Sequence, residues 1–211
     1  MTTSRGRRWR LAGLLALAGA ALLRAGADHL CPGARCRVPD FDAAALVALH
    51  ALQTPTLDAL FRTVTHAGGL AVLAPLGALF ALHDWRAGRG RDAAFLPLAL
   101  VLGWALARIG KELVLRPRPE IFAALVPLPP SSSFPSGHAA QVTAFALALA
   151  LRPGARLYWP AWPALVLLVV VVCVARVYLQ VHYPSDVLAG ALAAALWVTA
   201  LRVAPVWGGR R

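Results

Sequence analysis

Charge-free apolar runs alternate along this chain with short polar segments in which arginine predominates. The runs are Leu11–Leu23, Ala67–Leu82, Ala93–Ala107, Gly137–Leu151, Leu157–Ala175 and Val187–Leu201. Most fall short of the roughly 20 residues that cross a bilayer as a helix. Flanking arginines that snorkel, and Trp and Tyr at the interface, extend them to spanning length. Pro75, Pro97, Pro160 and Pro163 are compatible with spans, because membrane helices tolerate proline. The pattern predicts an all-α polytopic membrane protein with six transmembrane helices. Residues 28–66 are too polar at their start to span, and Phe41–Leu60 reads as one or two amphipathic segments on the outer surface.

Composition points the same way. Hydrophobic residues make up 59% of the 211 positions and charged residues 14%, against about 45–50% and 25% in soluble domains. Mean hydropathy is +0.65. The net charge of +12 is scattered between apolar runs, with no dense basic segment interleaved with aromatics. That argues against nucleic acid and for loop cations of a membrane protein.

Basic residues also set direction. With the N-terminus inside, Arg5, Arg7, Arg8, Arg10, Arg86, Arg89, Arg91, Arg152, Arg156, Arg202, Arg210 and Arg211 fall on the inner side. They outnumber Arg24, Arg35, Arg37, Arg62, Arg108, Lys111, Arg116, Arg118 and Arg176 outside, giving N-in, C-in. Arg5–Arg10, Leu11–Leu23 and Ala25-Gly26-Ala27 also fit a cleavable secretory signal, which would leave five spans; a retained first span is the preferred reading. The expected organisation is one domain over 1–211. Within it, 1–27 is the first span or a signal-like segment, 28–66 the outer amphipathic segment and 67–205 the catalytic helix bundle.

Three polar groups stand out: Lys111 with Arg116-Pro117-Arg118-Pro119, then Pro135-Ser136-Gly137-His138, then Arg176, His182 and Asp186. Because spans alternate in direction, the ends of the third and fifth share a face with the starts of the fourth and sixth. All three groups therefore lie on the outer face, at the outer ends of the last four spans. Lys111, Arg118 and Arg176 are suited to surround a phosphoryl group, arginine with bidentate forks. Ser136 can cap the fourth span, leaving the Gly137 and His138 amides at a positive helix end that binds anions. Gly137 permits close approach of phosphate to the backbone. His138 and His182 are nucleophile and acid–base candidates, and Asp186, four residues after His182, can fix its tautomer. Lys111 is the only lysine, as though a compact ammonium is wanted there. His29, His50, His66 and His83 read as incidental.

These groups resemble the type 2 phosphatidic acid phosphatase (PAP2) family, whose fold is shared with vanadium haloperoxidases. The family pattern Lys-x6-Arg-Pro, Pro-Ser-Gly-His and Ser-Arg-x5-His-x3-Asp is matched at Lys111 to Pro119, Pro135 to His138 and Arg176 to Asp186. Motifs and spans together cover roughly residues 60–205. The family's serine before the third-motif arginine is Ala175 here, which removes a hydroxyl near the phosphate and is expected to tune rather than abolish activity. The resemblance implies that His182 attacks phosphorus to form a phosphohistidine and that Asp186 supports it. His138 protonates the leaving oxygen and then activates water, while Lys111, Arg118, Arg176, Ser136 and the Gly137 amide hold the phosphoryl oxygens. It implies no cofactor. No metal is expected, since Glu112, Glu120 and Asp186 are few carboxylates for a magnesium cage.

The expected partners are a lipid phosphate and the bilayer, with no nucleic acid and no protein partner implied. Undecaprenyl diphosphate, phosphatidate and phosphatidylglycerol phosphate are the candidate substrates, in a bacterial plasma (inner) membrane with the site facing the periplasm or outside. A lipid phosphotransferase or a lipid A phosphatase would use the same site. An anion transporter would place its polar groups near the bilayer midplane instead. Cys31 and Cys36, in an outer loop, are expected to form a disulfide without a catalytic role; Cys173 reads as a small core residue.

Overall fold

The computed structural model describes residues 2–153 and 161–207. Among these, the regular elements are all helical: α1 Thr2–Leu30, α2 Asp40–Ala51, α3 Pro55–Val64, α4 Leu70–Arg86, α5 Phe95–Val114, α6 Gly137–Leu151, α7 Ala161–Tyr178 and α8 Pro184–Val203. α1, α5, α7 and α8 are long and apolar enough to cross a bilayer, and α3 with α4 forms a fifth such unit bent by 45° at Gly69. α6 is apolar but shorter. Exposed Leu14, Leu17, Leu79, Val101, Leu167, Leu188 and Leu192 cover the helix exteriors, an amount of open apolar surface that marks contact with another phase.

The helices overrun the apolar runs, mostly at charged residues. Lys111 lies inside α5, Arg176 inside α7 and Asp186 inside α8. The expected start of the fifth run, Leu157–Pro160, lies outside the described residues, as do Arg156, Arg210 and Arg211. The outer amphipathic segment divides into α2 and α3 at Gln53-Thr54. There the Thr54 hydroxyl accepts the Leu57 N–H and Pro55 occupies the first turn of α3, a favourable helix start.

α6 is the hub, packed by α5, α7 and α8, and α1 lies along α8. Small residues allow this. A methyl on Gly103 of α5 would stand 3.1 Å from Cβ of Ala144 in α6. One on Gly110 would stand 2.6 Å from Cδ of Pro135, and one on Gly190 of α8 would stand 2.6 Å from the Ser136 carbonyl oxygen. α5 and α8 are thereby drawn against the segment that opens α6, as small residues do between membrane helices. α2 and the turn after it are strapped across the C-terminal end of α7: Gln180 Nε2 donates to the Leu46 carbonyl, and Gln53 Nε2 to that of Tyr178. Cys31 and Cys36 are joined by a disulfide, and Cys173 is a half-buried free thiol.

Candidate active site

Two chain reversals bring the motifs together. α5 ends on Leu115 in the left-handed region (φ 52°), after which Pro117 prevents continuation. α7 ends on a turn with Gln180 at φ 60°, and the Val181 N–H donates back to the Arg176 carbonyl. The second reversal returns His182 over the end of α7, and α8 begins two residues later at Pro184.

His182 and Asp186 are buried and face each other, Nδ1 3.5 Å from Oδ2. That is long for a hydrogen bond. Asp186 is otherwise fully engaged. Its Oδ2 accepts from Ser133 Oγ at 2.5 Å and from the Tyr183 N–H at 2.9 Å, and its Oδ1 accepts from Arg116 Nη1 at 2.6 Å. Ser133 Oγ also lies 3.4 Å from His182 Nδ1. Burial pushes the His182 imidazole down to about 3, with Asp186 opposing and Arg176 adding. It is therefore a neutral base at physiological pH, with Nδ1 turned to Asp186.

The cations divide by what holds them. Lys111 Nζ donates to the carbonyls of Ser132 and Ser133. Arg118 donates to the carbonyls of Ser131 at 3.0 Å and Val181 at 2.7 Å, and burial lowers its pKa from the ordinary arginine value. Arg176 Nη1 donates to the Thr65 hydroxyl at 2.7 Å, and its Nε is buried without a partner. All three rest on neutral acceptors, so their charge is available to an anion. Arg116 differs. It is 0% exposed, donates to Asp42 Oδ2 at 2.9 Å as well as to Asp186, and stacks 4.0 Å over the Tyr183 ring. Two carboxylates neutralise it, so its charge, unlike that of the other three, is already matched within the protein.

Ser136 occupies the N-cap position of α6, but its hydroxyl makes no capping bond and is buried without a partner. The expected side-chain cap is thus corrected: the hydroxyl is left over. Its backbone is fixed from α8, the Ser136 N–H donating to the Asp186 carbonyl at 3.0 Å. At Gly137 an added methyl would meet nothing closer than Cβ of Ala107 at 3.8 Å. His138 follows in the first turn of α6, packed against the turn before α4: a methyl on Gly69 would stand 3.6 Å from its Nε2. The structure therefore gathers Lys111, Arg118, Ser136, Gly137, His138, Arg176, His182 and Asp186 at one end of the bundle.

Four contributors carry no motif. Asp42 sits in α2 and is buried; the Ser185 N–H donates to its Oδ1, and Ser185 Oγ to its Oδ2. Ser133 is one of three consecutive serines whose polarity gives no hint of which one reaches Asp186. Thr65 comes from the bend between α3 and α4. His66, in the same turn, is exposed, and its carbonyl accepts the Gly69 N–H that closes the turn beside His138.

The PAP2 superfamily model matches residues 92–209, which carry all three motifs. The chain belongs to the PAP2 superfamily. Among PAP2 relatives, the decaprenylphosphoryl-5-phosphoribose phosphatase of Mycobacterium tuberculosis H37Rv is 35% identical over 183 residues, 83% of this chain and 96% of that protein. The undecaprenyl-diphosphatase of Sulfolobus acidocaldarius is 31% identical over 158 residues, 72% of this chain and 71% of that one. Two solved PAP2 structures are similar. The transmembrane PAP2-type phosphatidylglycerolphosphate phosphatase from Bacillus subtilis has a TM-score of 0.74 at 25% identity, covering 88% of this chain and 93% of its own. Aquifex aeolicus LpxE has a TM-score of 0.60 at 27% identity, covering 75% and 93%. The chain is accordingly a PAP2 phosphatase and an integral membrane protein.

Proposed function

We propose that this protein hydrolyses a phosphomonoester or diphosphate carried on a polyprenyl lipid, through a phosphohistidine intermediate. One observation carries the reaction: three cations on neutral acceptors surround a helix start flanked by two histidines, one of them backed by a buried carboxylate. In the first step the free ring nitrogen of His182 attacks phosphorus, the bond from phosphorus to the lipid-side oxygen breaks, and His138 gives that oxygen its proton. In the second step His138 takes a proton from water, the hydroxide attacks phosphorus, and the bond to His182 breaks to release inorganic phosphate. Lys111, Arg118, Arg176 and the Gly137 amide stabilise the equatorial oxygens. No metal has a role, since Asp42 and Asp186 are committed to Arg116.

The polyprenyl preference rests on the two relatives named for such lipids. It is supported by a groove of about 270 Å³ lined by Leu70, Ala74, Gly77, Pro97, Leu100 and Trp104. The groove begins next to Gly69, beside His138. The chain is read as one domain with six spans, α1, α3–α4, α5, α6, α7 and α8, in a bacterial plasma membrane with the site on the outer side.

The test is phosphate release by purified protein, in excess chelator, from a decaprenyl-linked ribose 5-phosphate, undecaprenyl diphosphate, phosphatidate and phosphatidylglycerol phosphate. The polyprenyl substrates should have the highest kcat/KM, undiminished by chelator. Preference for a diacylglycerol lipid would overturn the substrate assignment, and magnesium-dependent activity the metal-free one. His182→Ala should be inactive on every substrate. His138→Ala should retain a larger fraction on an aryl phosphate, whose leaving group needs little of the roughly 10²–10⁴-fold help an acid provides. The reverse pattern would exchange the two roles.

A further inference from the structure

Thr65–Gly68 form a 3₁₀ turn, and with Gly69 they make the 45° bend between α3 and α4. None of these residues belongs to a sequence motif, yet the turn lies against the site. A methyl on Gly68 would stand 2.5 Å from Cγ1 of Val172 in α7 and 3.3 Å from Cβ of His138 in α6. The glycine lets the turn press into the cleft between those helices. The Gly69 N–H closes the turn on the His66 carbonyl at 2.9 Å. Thr65 is 4% exposed, and its hydroxyl receives Arg176 Nη1 from 111 residues away.

We propose that Thr65 is a positioning residue that aims the Arg176 guanidinium at the phosphoryl group. An arginine buried at a helix end needs an acceptor to hold its planar fork in one orientation. A carboxylate would do this but would cancel the charge, as Asp42 and Asp186 do for Arg116. A hydroxyl fixes the fork and leaves the charge intact. The neighbour at position 175 is alanine and offers no such group. With Nη1 held by Thr65, the unpartnered Nε edge is the part of the fork left for a phosphoryl oxygen. The 3₁₀ turn is thus a fourth contributor to phosphate binding, supplied by the bend between α3 and α4.

This inference rests on the phosphatase reading, and its test keeps the two apart. Thr65→Val, Thr65→Ala and Thr65→Ser are compared with the unmodified protein for p-nitrophenyl phosphate turnover and for inhibition by orthovanadate, which binds as a phosphate mimic. Thr65→Val and Thr65→Ala should lower kcat/KM and raise the vanadate Ki about ten- to hundredfold, the effect of losing a hydrogen bond to a charged group. Thr65→Ser should stay within about threefold of the unmodified protein, having kept that bond. In an Arg176→Gln background, Thr65→Val should change Ki by less than about twofold, because the partner is already gone. A vanadate Ki does not depend on the fraction of protein that folds, so a packing defect alone does not reproduce this pattern. An unchanged Ki in Thr65→Val, or an equal change in both backgrounds, overturns the role of Thr65. Absence of phosphate release by the unmodified protein overturns the phosphatase reading instead.

Discussion

Replacing Arg116 by methionine should be among the most damaging changes in this protein outside the proposed phosphate site. Arg116, Asp42 and Asp186 are all 0% exposed, and Arg116 serves both carboxylates, at 2.9 and 2.6 Å. Removing one partner of a buried ion pair costs about 3–5 kcal/mol, because the other charge is left uncompensated. Two carboxylates are stranded here, which places Arg116→Met at the upper end, about 5 kcal/mol. For a chain of this size that is a fall in Tm on the order of 10–20 °C. Asp42→Asn should be milder. Its amide oxygen still accepts the Ser185 N–H, and Arg116 keeps Asp186, so the loss is about 1.5–3 kcal/mol, that of one charged hydrogen bond. The double variant should be more stable than Arg116→Met alone, because one fewer carboxylate is stranded; that non-additivity is the signature of the chain of charges. Thermal unfolding in detergent, followed by tryptophan fluorescence, measures all three, with phosphate release from an aryl phosphate in parallel. If Arg116→Met unfolds within about 1 kcal/mol of the unmodified protein, the buried charges do not hold Asp186 in place.

The two glycines nearest Ser136 should respond oppositely to alanine. Gly137→Ala has room within the protein and should leave Tm unchanged while lowering kcat/KM, whereas Gly190→Ala strikes the Ser136 backbone and should cost about 1–3 kcal/mol of stability. Because His182 is held well below its unfolded pKa of about 6.5, the folded state binds fewer protons than the unfolded one as pH falls from 6.5 towards 3. Its contribution to stability is present above pH 6.5 and is lost on acidification, by up to about 1.4 kcal/mol per pH unit. Tm should accordingly drop between pH 6.5 and 4.5, and drop less in His182→Gln. For topology, a membrane-impermeant thiol reagent on intact cells should label a cysteine at exposed Leu128, in a Cys173→Ser background, and not one at Ala87; the opposite labelling would invert the orientation.

The residues of the proposed phosphate site are legible because their chemistry is written in fixed residue types at helix ends, and alternation of apolar runs places those ends together. Arg116 was visible only as half of an Arg-Pro-Arg-Pro string. Which arginine meets carboxylates and which keeps its charge unmatched depends on Asp42, 74 residues away, and an acidic residue in the first turn of an amphipathic helix reads as an ordinary dipole partner. Ser133 and Thr65 escaped for a related reason: a hydroxyl acquires a role from the group that reaches it, and those approaches are set by close packing at Gly110 and Gly68. The Ser136 hydroxyl departs from the cap its position suggests: it accepts no N–H of α6 and is buried without a partner.

Lys111 and Arg118 donate to the carbonyls of Ser131, Ser132, Ser133 and Val181. In the proposed reaction a phosphoryl group would exchange one set of acceptors for another, and its departure would leave no cation stranded. An enzyme whose product is a free dianion faces the hazard of being clogged by it. A site that can relax onto its own backbone competes with inorganic phosphate for the same donors, and so favours turnover over retention.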